Sequence, residues 1–66
     1  MNRIISKVEN NKLIPVELTS NEPKKALVNF ISNKYSLSKS NVKNKIQKEN
    51  NRYSIEVNGE IFNIIR

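Results

Sequence analysis

Apolar residues alternate with polar ones near both ends of this chain, and in the middle they recur at three- and four-residue intervals. Alternation puts successive side chains on opposite faces of a strand, whereas the longer interval lines one face of a helix. Residues 3–8 and 13–18 therefore read as two strands around Glu9, Asn10, Asn11 and Lys12. A two-residue turn at Asn10 and Asn11 would set Lys7 opposite Ile14 and Ile5 opposite Val16. A three-residue loop that includes Lys12 would instead pair Val8 with Ile14, Ser6 with Val16 and Ile4 with Leu18. The second register gathers Ile4, Val8, Ile14, Val16 and Leu18 on one face, and it is the preferred reading. Pro15 has no N–H to give to a ladder, so its strand is expected at a sheet edge.

At the other end, residues 53–57 and 60–65 flank Asn58-Gly59, a strong two-residue hairpin signal. That turn pairs Val57 with Glu60, Ile55 with Phe62 and Tyr53 with Ile64, and it leaves Ile61 and Ile65 on the opposite face. Between the hairpins, Leu27, Phe30 and Ile31, with Ala26 and Tyr35 at the margins, predict a helix over residues 22–34. Ser20 or Asn21 is its expected cap, and Pro23 sits in the first turn, where no intrahelical partner is lost. Leu37, Val42 and Ile46 supply a second apolar set, predicting a helix over residues 39–49 that Asn50 and Asn51 end. Ser38 is placed to cap it by accepting from the N–H of Ser40 or Asn41, and Leu37 and Val42 form a hydrophobic-staple pair. The expected class is α+β, one domain in the order β-β-α-α-β-β. It divides into a hairpin over residues 1–21, a two-helix segment over 22–50 and a hairpin over 51–66.

Residues 27–46, about a third of the chain, carry a resemblance. Two short helices meet at a tight turn, and the second opens with Ser38-Lys39-Ser40-Asn41-Val42. This resembles the helix-turn-helix of bacterial repressors, in which a Ser-basic-Ser/Thr-x-Val run opens the helix that is read against DNA. Ser36 stands where the motif usually has Gly. The resemblance implies that the second helix lies in the major groove. Stepped at 100° per residue, that helix gathers Val42 and Ile46 on one side and Ser40, Asn41, Asn44, Gln47 and Lys48 on the other, with Lys43 and Lys45 on the flanks. Amides can pair bidentately with adenine, and lysines can set register on phosphates. The candidate DNA-binding residues are Lys39, Ser40, Asn41, Lys43, Asn44, Lys45, Gln47, Lys48 and Arg52. A hairpin after such a helix also resembles the wing of a winged helix, which would bring Arg52, Asn58 and Arg66 to the backbone or minor groove. The alternative, slightly favoured, is that this hairpin joins the first in one sheet behind the helices, because Glu60 at its tip would be repelled by phosphate.

Charge sharpens this picture. The formal net charge is +6, and residues 22–52 hold eight of the twelve lysines and arginines against only two glutamates. A polyanionic partner is the expectation from that segregation. Abundant Asn, Lys and Ile is also what A+T-rich coding yields, but such bias does not separate lysine from glutamate. The chain has no Cys, His or Asp, and its six glutamates are scattered, so neither thiolate chemistry, a histidine-based metal site nor a paired-carboxylate acid/base site is expected. No enzyme activity and no cofactor are anticipated. The N-terminal apolar run is too short for a signal peptide and no stretch reaches membrane-spanning length, so a cytoplasmic protein without membrane contact is the expectation.

The reading that results is a small regulatory double-stranded-DNA-binding protein, of the kind that acts in transcriptional control or on a phage or other mobile element. The alternative is a small phage-type interaction or inhibitor protein docking on an acidic host-protein surface without a nucleic-acid role. Ile61 and Ile65, if they face solvent, would favour that alternative or a homodimer. Binding of structured RNA by charge alone has no motif behind it.

Overall fold

The structure, a computed structural model, describes residues 2–66. Five antiparallel strands form one sheet on which two helices pack. β1 (Arg3–Glu9) and β2 (Lys12–Thr19) come first, then α1 (Pro23–Tyr35) and α2 (Lys39–Lys45). A two-residue β3 (Gln47–Lys48), β4 (Arg52–Val57) and β5 (Glu60–Ile65) complete the chain. The strand order is β2-β1-β5-β4-β3, so the two hairpins join through β1 and β5 into one sheet behind the helices.

The C-terminal hairpin has the expected register. Val57 pairs with Glu60, Ile55 with Phe62 and Tyr53 with Ile64. Asn58 at φ 52° and Gly59 at φ 79° supply the two left-handed residues that such a turn needs. The N-terminal hairpin corrects the preferred register. Asn10 (φ 53°) and Asn11 (φ 64°) are both left-handed, so the loop has two residues, Glu9 pairs with Lys12, Val8 with Leu13 and Lys7 with Ile14. A shift between Ile5 and Ser6 then restores Ile4 opposite Leu18, leaving Val16 as the extra residue beside Pro15. β2 is the edge strand that Pro15 called for. The core residue of β1 is Ile5, fully buried, while Ile4 lies half-exposed on the opposite face.

The core lies between the helices and one sheet face: Leu27, Val28 and Ile31 of α1 and Val42 of α2 meet Ile5, Ile55, Val57, Phe62 and Ile64. Phe30 and Tyr35 set their rings edge-on to Phe62, at 5.6 and 6.4 Å between centroids. The sheet therefore supplies the surface that an additional helix would otherwise provide behind a helix pair. No helix among the described residues is long and apolar enough to cross a membrane.

Two helix boundaries differ from expectation. Glu22, not Ser20 or Asn21, is the N-cap residue of α1, and no side chain caps that end; the Thr19 hydroxyl instead accepts from the Asn21 N–H at 3.2 Å. α2 stops after Lys45, four residues early. Ile46 turns extended (φ −70°, ψ 132°) and packs against the core, Gln47 and Lys48 pair with Ser54 and Tyr53, and the Glu49 N–H donates to the Arg52 carbonyl at 2.8 Å. Asn50 and Asn51 thus form the tip of a small hairpin. Strand pairing has overridden weak helix propensity in an Asn-rich segment.

Candidate nucleic-acid interface

The turn between the helices is built by local chemistry. Ser36 takes up φ 55°, ψ 44° at the C-cap of α1, the left-handed position at which Gly is usual, and its N–H donates to the Ser32 carbonyl. The Ser32 hydroxyl donates to the Leu37 carbonyl at 2.6 Å, and the Leu37 N–H returns to the Ser32 carbonyl at 3.1 Å. Ser38 then caps α2, accepting from the Asn41 N–H at 3.3 Å. Partly buried Leu37 and fully buried Val42 hold the helix down on α1. Every other residue of α2 is exposed: Lys39, Ser40, Asn41, Lys43, Asn44 and Lys45 all face solvent.

Six of the nine residues singled out in the sequence are therefore together on α2. The other three are elsewhere. Gln47 and Lys48 lie in β3, because the helix ends before them. Arg52 opens β4 and is held by Glu49 at 2.6 Å, with the Ser54 hydroxyl donating to the same carboxylate at 3.2 Å. These contacts keep the Glu49 carboxyl below its usual range, the Arg52 hydrogen bond being the largest cause. Arg52 is thus occupied by an internal anion, on the sheet face away from the helices.

The structure also gathers cations that the motif did not include. Lys39 and Lys43, one turn apart on α2, line an open groove of about 620 Å³ together with Lys24 and Lys25 of α1, Arg3 of β1 and Arg66. Tyr53 and Val28 contribute to its wall, and Glu22 is its one carboxylate side chain. Among the described residues, none of these six cations forms an ion pair with a side-chain carboxylate. Arg66 lies 5.4 Å from the Tyr53 ring centre and donates to the carbonyls of Glu49 and Asn50 at 3.0 and 3.2 Å. Lys24 and Lys25 sit in the first turn of α1, which holds no acidic residue. Cations at that end oppose the helix dipole, a sequence signal that they serve something other than the helix. Arg3 and Arg66 stand at opposite ends of the chain, and only β1–β5 pairing brings them together.

Glu60, the residue expected to repel phosphate, is neutralised in place. The Lys7 ammonium lies 2.7 Å from its carboxylate, and the Tyr35 hydroxyl donates to it. Both contacts hold the Glu60 carboxyl below its usual range, Lys7 more strongly. The same hydrogen bond raises the Lys7 ammonium above its ordinary value, and desolvation followed by Glu60 raises the Tyr35 hydroxyl. The hairpin tip belongs to the sheet and does not stand out beside α2 as a wing.

Comparison with protein-family models, with curated proteins and with solved structures finds no match to this chain.

Proposed function

We propose that this protein binds double-stranded DNA, with the exposed face of α2 toward the major groove and the cations of the adjoining groove on the phosphates. The observation that carries the reading is the convergence of Arg3, Lys24, Lys25, Lys39, Lys43 and Arg66, from four separate parts of the chain, around a groove with one carboxylate side chain. Clustered cations without internal carboxylate partners raise the electrostatic potential and leave it directed at an external anion. On α2, Ser40, Asn41 and Asn44 are the short polar side chains available for base edges. The helix has seven residues, about 10 Å of length, which limits direct readout to a few base pairs and leaves most of the affinity to phosphate contacts. Regulatory action on transcription is the role that such a module would serve.

An acidic host-protein surface would draw on the same cations, and it is distinguished by what the α2 amides do. Backbone chemical shifts of labelled protein titrated with a short duplex test the proposal. Shifts are expected at Lys24, Lys25 and residues 39–45 and not at Val8 or Ile61 on the far sheet face. Shifts confined to that far face would sink it.

A further inference from the structure

We propose that the helix-free face of the sheet is the docking surface for a second copy of this chain, packed face to face about a two-fold axis that crosses the strands. Strand register arranges this face in three rows. The first holds Leu18, Ile4 and Ile65, ending in Arg52 on β4. The second holds Pro15, Ser6, Asn63 and Ser54. The third holds Leu13, Val8 and Ile61, ending in Glu56. Leu18, Leu13, Ile4, Ile65 and Ile61 are exposed by 62%, 53%, 50%, 50% and 39%. Isolated apolar residues on a surface are ordinary, but contiguous rows of them mark an interaction site.

The choice of a second copy follows from how the rows are ordered. In a two-fold interface each residue meets the image of another, so the surface must complement itself. An axis along the middle row exchanges the first row with the third. Apolar residues then meet apolar residues, and Arg52 of each copy faces Glu56 of the other. Glu56 has no ion pair among the described residues, whereas Arg52 is already turned across this face by Glu49. The residues on the axis, which must face their own images, are Pro15, Ser6, Asn63 and Ser54, continued by Gln47 of β3, all uncharged. A lysine or glutamate there would repel its copy.

Charge on this face is mixed. Within the rows Arg52 and Glu56 balance each other and Glu49 is paired with Arg52, while Lys12, Arg3 and Arg66 stand at the margins of the face. It is also the face on which one copy can approach another without bringing together Lys24, Lys25, Lys39 and Lys43, which lie on the helix side.

Size sets the strength. The four strands that carry the rows span roughly 19 by 20 Å, or about 400 Å² of flat area, against about 800 Å² per partner in interfaces of standard size. The dimer is therefore expected to dissociate in the micromolar range. This inference does not rest on DNA binding and can fail separately from it.

Sedimentation velocity of the whole chain, from micromolar to millimolar concentration and without DNA, is the test. A reversible monomer–dimer equilibrium is expected. Leu13→Glu should shift it at least tenfold toward monomer, and so should Glu56→Arg, because each alters only an exposed side chain. Arg52→Glu should weaken it similarly, and the Arg52→Glu/Glu56→Arg double variant should regain most of the loss, with circular dichroism confirming the fold of each variant. A monomer at every concentration overturns the proposal, as does a dimer indifferent to Leu13→Glu. Weakening by Leu13→Glu without recovery in the charge-exchanged variant overturns the two-fold arrangement.

Discussion

Removing two cations from the groove is expected to weaken DNA binding far more than removing two that do not line it. The perturbation is Lys24→Ala/Lys43→Ala, set against Lys48→Ala/Arg52→Ala. Both pairs remove two positive charges, so they alter the net charge equally. The first pair lines the groove with four other cations; in the second, Lys48 is on a short edge strand and Arg52 is engaged by Glu49. Each neutralised phosphate contributes a factor that scales with salt to about the −0.9 power, roughly eightfold at 0.1 M. Two lost contacts should therefore cost about sixtyfold at 0.1 M and about twentyfold at 0.2 M. The control pair should cost only the few-fold loss that lower net charge brings. Fluorescence anisotropy with a short labelled duplex reads both numbers. Equal losses in the two pairs would show that net charge alone drives binding and would refute the assignment of the groove.

Other consequences concern the fold that holds the groove. Val42→Ala empties a fully buried position between α2 and α1 and should destabilise the domain by about 2 kcal/mol in urea unfolding, loosening α2 first. Ser36→Gly relieves a left-handed serine, and after the entropy that glycine adds to the unfolded chain it should raise stability by about 0.5 kcal/mol. Glu60 and Glu49 have carboxyls held below the unfolded range by Lys7 and Arg52, so their contribution is present above the unfolded value near 4.5 and is lost as pH falls through the lower folded value. The urea midpoint should fall on acidification below that point, and Glu60→Gln should flatten part of the decline.

What the sequence made legible is what local chemistry decides. Asn58-Gly59 fixed one hairpin, because two adjacent left-handed residues leave few alternatives. The Ser38 cap and the Leu37–Val42 staple gave the start of α2 to the residue. Where pairing between distant segments decides, local pattern fell short. Residues 46–49 have no strong helix stop, and it is β4 that draws Gln47 and Lys48 into a strand, which took these two candidate residues off the helix. Asn10 and Asn11 accept either loop length, and the displacement at Val16 reconciles parts of both registers. Of the groove, Lys39 and Lys43 were read from the motif. Lys24 and Lys25 were visible as charge but not as neighbours of α2, and Arg3 and Arg66 meet only through the sheet.

The measurement that tests the central proposal most directly is the salt dependence of duplex binding by the unaltered protein. With six groove cations on phosphates, the association constant should fall about a thousandfold between 50 and 200 mM salt, a logarithmic slope near −5. No binding at the lower salt, or binding that hardly responds to salt, would contradict the proposal that this groove is a nucleic-acid interface.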